Sequence, residues 1–170
     1  MTNSSVMESR AHPTFLETGI GVPDRALLID GLASVLGDCY VLQFKTCVAS
    51  WNVVGPLFLG LHDLMAAQGD DLFAAVDSLA KRTRALGYPA PERLSALVER
   101  SGLDEEAGVV RGTAHDMINQ LARDHETIAR NVRTVAKWAE QMKDQVTFNL
   151  LADRLQKHEE AVWRLRALLA

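Results

Sequence analysis

His62 and Asp77 are the residues whose types first suggest chemistry. An imidazole and a carboxylate are common donors to a transition-metal ion. They stand fifteen residues apart in the stretch S-W-N-V-V-G-P-L-F-L-G-L-H-D-L-M-A-A-Q-G-D-D-L-F-A-A-V-D-S-L-A-K, from Ser50 to Lys81. The stretch reads as the end of one helix, a tight Gly-Pro turn and a long second helix. Along a helix this separation is roughly 22 Å, and about 100° per residue leaves both side chains on nearly the same face. One ion cannot touch both within one chain. They are either unrelated surface residues or parts of a site built between two chains.

The elements that must position them emerge from hydrophobic periodicity. Leu28, Leu32, Val35, Cys39, Leu42 and Thr46 recur at steps of three or four, the core stripe of a helix from Asp24 to about Trp51. Gly55-Pro56 breaks it. A second helix starts at Pro56 or Leu57, buries Leu61, Met65, Gln68, Leu72, Val76 and Leu79, and stops at Gly87. Tyr88 to Glu106 form a long connection in which P-E-R-L-S-A-L-V-E holds one short helix. A third long helix over Gly108–Gln141 carries Met117, Leu121, Ile128, Val132, Val135 and, beyond its end, Met142. Asp144 caps a fourth, with Leu151, Leu155, His158, Val162, Leu165 and Leu169 on its inner face. No segment alternates as a strand does. The fold class predicted is all-α: a four-helix bundle with a short helix in the long connection between the second and third helices.

Composition narrows the function. The chain of 170 residues is 48% hydrophobic and 24% charged, an ordinary globular balance. No apolar run approaches a membrane span, and the N-terminus lacks the basic start and apolar core of a signal peptide. A cytoplasmic protein is expected. Residues 1–23 are read as an extended or partly disordered arm preceding a domain over 24–170. The arm has no lysine, and its Arg10 and His12 face Glu8 and Glu17. With a net charge of −4 and a pI near 5.7, the chain has no evident grip for nucleic acid. Cys39 and Cys47 are too far apart on one helix to bridge and are read as buried small apolar residues, with metal ligation by Cys47 a minority reading.

No phosphate loop, nucleophile elbow or H-E-x-x-H occurs, nor the Glu-x-x-His of di-iron bundles. His125–Glu126 and His158–Glu159 are adjacent pairs whose side chains diverge on a helix. His158, on the apolar stripe, is read as a satisfied core histidine.

The stretch S-W-N-V-V-G-P-L-F-L-G-L-H-D-L resembles the Dps family of mini-ferritins, which shows H-W-N-V-x-G-x-x-F-x-x-L-H-x-x-F. D-S-L-A-K-R-T-R-A-L-G-Y-P-A-P resembles the family's D-x-x-A-E-R-I-x-x-L-G-G-x-P. T-F-N-L-L-A-D-R-L-Q-K-H-E-E-A-V-W-R-L-R-A-L-L resembles its last helix. The resemblance covers about residues 24 to 170. It implies a ferritin-like bundle assembled as a hollow dodecamer that sequesters iron and oxidises it at sites shared across two-fold interfaces. The family site takes a His before the W-N-V turn, a second His, an Asp, and a Glu one turn later. Carried over, the metal ligands are His62 and Asp77, beside Trp51. Ser50 stands at the first His position and Lys81 at the Glu position.

A hydroxyl is a weak ligand, and a protonated ammonium is none. Asp77 and Lys81, four apart in acid-first order, are expected to pair. Asp63 or Cys47 helping His62 and Asp77 hold one ion is the counter-reading. The resemblance also places Glu140 and Asp144 near an acidic three-fold pore, with Asn149 and Gln145 where further acids are common. The plain reading of Glu140 and Asp144 is solvated helix-end charge. Three functions compete: an iron-sequestering cage protecting against oxidative stress, a cage subunit without ferroxidase activity that is structural or co-assembling, and a DNA-compacting protein, which the acidic balance disfavours.

Overall fold

The structure, a computed structural model, describes residues 19–104 and 112–170. The helices are α1 (Val22–Asn52), α2 (Phe58–Ala85), α3 (Leu94–Arg100), α4 (Ala114–Gln141) and α5 (Gln145–Ala167). α1 pairs with α2 and α4 with α5. α1 packs on α4 to join the pairs, and α3 lies against α1. The expected bundle with its short helix in the crossover is what is seen. Most of the arm, residues 1–18, and the expected helical positions 108–111 lie outside the described residues.

α1 begins at Val22, two residues before Asp24, with proline in its first turn, where a missing N–H costs nothing. Its predicted stripe is buried throughout. α2 starts at Phe58, after a Gly-Pro turn, and ends at Ala85. Gly87 then takes φ +92°, the left-handed conformation that glycine adopts most cheaply. α4 opens on a capping box between Thr113 and Asp116. One 18-residue stretch of α1 within Asp24–Asn52 reaches a mean hydropathy of 1.4, long and apolar enough to cross a membrane; this corrects the expectation that no run comes close. The burial of 61% of that stretch inside the molecule accounts for its apolar character.

Buried polar groups fasten the crossover to the bundle. Asp38 accepts hydrogen bonds from Ser101 Oγ (2.9 Å), the Gly102 amide (2.6 Å) and Asn131 Nδ2 (2.7 Å). The close approach of α3 requires Gly37, because a Cβ there would stand 2.5 Å from the Leu97 carbonyl oxygen. Lys45 lies 2.7 Å from Asp124 and donates to the Asp104 carbonyl at 2.9 Å. Burial raises the Asp124 carboxyl against the opposing pull of Lys45 and Gln120.

Asp144 corrects the solvated-charge reading. It does cap α5, accepting from the Thr147 amide, but it is 3% exposed and binds the Arg82 guanidinium through both oxygens at 2.7 Å. Burial works to raise its carboxyl, yet hydrogen bonds from Arg82 and Thr147 outweigh it and hold it below the usual range. The carboxylate ties the end of α2 to the start of α5, while Glu140 remains exposed. Asp144→Ala removes the cap and strands a largely buried guanidinium, with an expected loss of about 3 kcal/mol in urea unfolding. Glu140→Ala should stay within about 0.5 kcal/mol of wild type. Equal losses for the two would contradict this distinction.

Candidate functional site

The corner between α1 and α2 brings Ser50 and His62 together. Ser50 occupies the last turn of α1 and is buried, and His62 sits in the second turn of α2 and is half-buried. His62 Nδ1 lies 3.1 Å from the Ser50 carbonyl oxygen and 3.1 Å from its hydroxyl. A carbonyl can only accept, so the network assigns the proton to Nδ1 and leaves a lone pair on Nε2. Orientation of an imidazole by a backbone carbonyl is a usual arrangement for a metal ligand. The Phe58 ring stacks on His62 with centroids 5.4 Å apart.

Asp77 is four turns further along α2, on the exposed side. Its Oδ2 accepts from Lys81 Nζ at 2.5 Å, as the spacing predicts. These side chains are 57% and 75% exposed, so solvent screens the pair. Such a pair contributes about 0.5 kcal/mol or less. Cys47, expected to be buried, is half-buried instead. It accepts a weak hydrogen bond from Gln43 Nε2 at 3.3 Å and lies against Gly69 of α2. Among the described residues, no three His, Cys, Asp or Glu side chains converge as a metal site. A single chain therefore presents His62 Nε2 and an ammonium-bound Asp77 at separate places.

Around His62 the corner is apolar and uncovered. Trp51, Val54 and Leu59 are 68%, 78% and 74% exposed, with Phe44 and Phe58 beside them in sequence and also exposed. Trp51 meets Phe44 edge to face, with centroids 6.5 Å apart.

The sequence reading missed a second polar group inside the bundle. His158 is fully buried as expected, but its partner is another histidine. His125 Nδ1 and His158 Nδ1 are 2.9 Å apart, and Cys39 Sγ lies 3.9 Å from His158 Nε2. The signal was available: position 125 comes four after Leu121 and three before Ile128, so it falls on the inner stripe. Burial, helped by the charge of Arg154 and opposed by Asp71, pushes His125 down to about 3. Burial first, then His125 and Arg154, also holds His158 well below the usual value.

Comparison with known proteins places the chain. Residues 29–170 match the ferritin-like domain. An uncharacterised low temperature-induced protein of Nostoc sp. is 36% identical over 154 residues, covering 88% of this chain and 85% of that protein. The DNA protection during starvation protein of Porphyromonas gingivalis is 28% identical over 150 residues, covering 88% and 93%. Among solved structures, Dps from Thermosynechococcus elongatus superposes with a TM-score of 0.83 at 25% identity, covering 87% and 93%. Dps from Mycobacterium smegmatis gives 0.86 at 24% over 93% and 94%, a likeness of fold. The chain belongs to the Dps family of the ferritin-like superfamily.

The histidine pair generates a pH dependence. Below the ordinary value near 6.5 the unfolded chain binds protons at His125 and His158 that the folded chain excludes. Stability is therefore complete above that value and falls as the pH drops toward the depressed folded values, at up to about 1.4 kcal/mol per pH unit for each histidine. Urea midpoints should decline from about pH 7 to about pH 5, where most carboxylates stay ionised. A flat midpoint over that interval would show that the pair does not resist protonation.

Proposed function

We propose that this chain is the subunit of a hollow Dps-type shell, a dodecamer in the cytoplasm, that sequesters iron and protects against oxidative stress, and that its inter-subunit ferroxidase position is degenerate. Iron is here the cargo. Family membership supports the shell and the cargo. The exposed apolar corner supports a second copy of the chain lying over His62, because a patch of several large side chains beside a retained ligand suits an interface.

The observation that carries the degenerate site is the contact of Lys81 with Asp77. In an antiparallel dimer the Asp77 of one chain would meet the His62 of the other. The metal would then find one imidazole, one carboxylate already holding an ammonium, and the Ser50 hydroxyl, which faces His62. The exposed ion pair is too weak to bar an ion by itself. The absence of two donors supports the same reading, together with the repulsion of any ammonium that stays.

Anaerobic titration of the assembled protein with Fe(II), then addition of peroxide, tests the proposal. Weak binding and slow oxidation are expected. The double variant Ser50→His/Lys81→Glu should bind a pair of ions per dimer and oxidise iron faster by roughly a factor of ten or more. Tight stoichiometric binding and rapid peroxide-dependent oxidation by the unaltered protein would contradict it.

A further inference from the structure

A cavity of about 180 Å³ opens between α2, α4 and α5, with room for roughly six water molecules. Leu64, Leu72 and Ala161 give it an apolar wall, and Gln68, His125 and Arg154 line it with polar groups. Buried atoms on each of those three lack a hydrogen-bond partner within the protein: both amide atoms of Gln68, His125 Nε2 and Arg154 Nε. A buried polar atom left alone costs about 1–3 kcal/mol. Their convergence on one cavity therefore points to something that satisfies them together.

The hydrogen bonds behind His125 bear on which atom it offers. Burial pushes the Cys39 thiol up to about 12, so it keeps its proton. A ring nitrogen is a stronger acceptor than a thiol sulfur. That preference favours Cys39 S–H donating to His158 Nε2 across 3.9 Å, with the proton of the neutral His158 on Nδ1. That proton is donated to His125 Nδ1, across 2.9 Å. The neutral His125 must then carry its proton on Nε2, the nitrogen left for the cavity. Among the cavity atoms left without a partner, three are nitrogens that donate, on His125, Gln68 and Arg154, against one acceptor, Gln68 Oε1.

The charges around the cavity agree. Arg154, Lys157 and Arg164 face two carboxylates, and both carboxylates are engaged: Asp71 by Arg154 and Lys157, Glu160 by Arg164. An excess of donors and one unbalanced positive charge repel a metal ion and suit an anion. We propose that this cavity is a binding site for a small oxyanion of the phosphate or carboxylate class, held by N–H groups of His125, Gln68 and Arg154. It uses none of the residues of the inter-subunit position and stands apart from the reading of that position.

Thermal unfolding of the full-length protein in sodium phosphate, sodium acetate and sodium chloride at matched ionic strength tests the site. Phosphate or acetate should raise the wild-type midpoint saturably beyond chloride, and the anion that does so identifies the class. Gln68→Glu turns a carboxylate toward the anion and should abolish the specific shift. Gln68→Leu removes the donor without adding charge and should raise the anion concentration at half-effect by about tenfold or more. It decides the question if the glutamate variant does not fold. Shifts of equal size in wild type and the folded Gln68 variants would be a general salt effect and would overturn the proposal. So would the absence of any shift beyond chloride, which would leave the cavity to water alone.

Discussion

Arg82 with Asp144, Lys45 with Asp124 and Arg154 with Asp71 each join two helices through a charge that has lost most or part of its water. The rest of the bundle depends on such pairing. The leucine-rich stripes supply the non-directional attraction that collapses the four long helices. They do not by themselves specify which helix ends meet. Arg82–Asp144 does so at the α2–α5 end, and Lys45–Asp124 with the Asp38 cluster does so for α1, α3 and α4. A stranded partner of such a pair costs several times what the intact pair contributes, so registers that separate the partners are excluded. The histidines obey the same constraint differently: they enter the interior neutral and paired with each other.

On the surface of α2 the constraint is relaxed. Asp77 and Lys81 are exposed, and their pairing contributes little to stability. On the proposed reading its consequence is chemical, because a cation stands where the resemblance implies a carboxylate ligand. His62 is the contrasting case. Its Nδ1 is held by Ser50 and its Nε2 is left with a lone pair, so one donor keeps the orientation that a metal site needs. On the proposed reading, the serine at the family's first histidine position is also the residue that fixes His62. In the proposed dimer one helix therefore carries both a retained donor and the group that disables the other.

Much of the architecture was legible in the residue pattern. The stripes of α1, α2, α4 and α5 have unambiguous periods, and Gly55-Pro56, Gly87 and Asp144 mark helix ends through backbone chemistry that acts locally. A spacing of four was enough to bring Asp77 to Lys81. Contacts across long stretches of sequence were not legible. Asp144 looks like any solvated cap until Arg82, sixty-two residues earlier, closes on it. His125 was hidden between Leu121 and Ile128 because a polar residue on an inner stripe is passed over when only apolar ones are counted. The membrane-like hydropathy of α1 misleads in the opposite sense, since its composition reflects burial against α2, α3 and α4 on different sides.

The degenerate site stands or falls on whether Asp77 is free to take a metal ion once two chains have met. Anomalous diffraction at the iron edge, from crystals of the assembled protein soaked anaerobically in Fe(II), addresses that directly. The expected result is no ordered iron between His62 of one chain and Asp77 of the next, with Lys81 Nζ still on the Asp77 carboxylate. A well-occupied iron peak at that position, with Lys81 turned away, would contradict it.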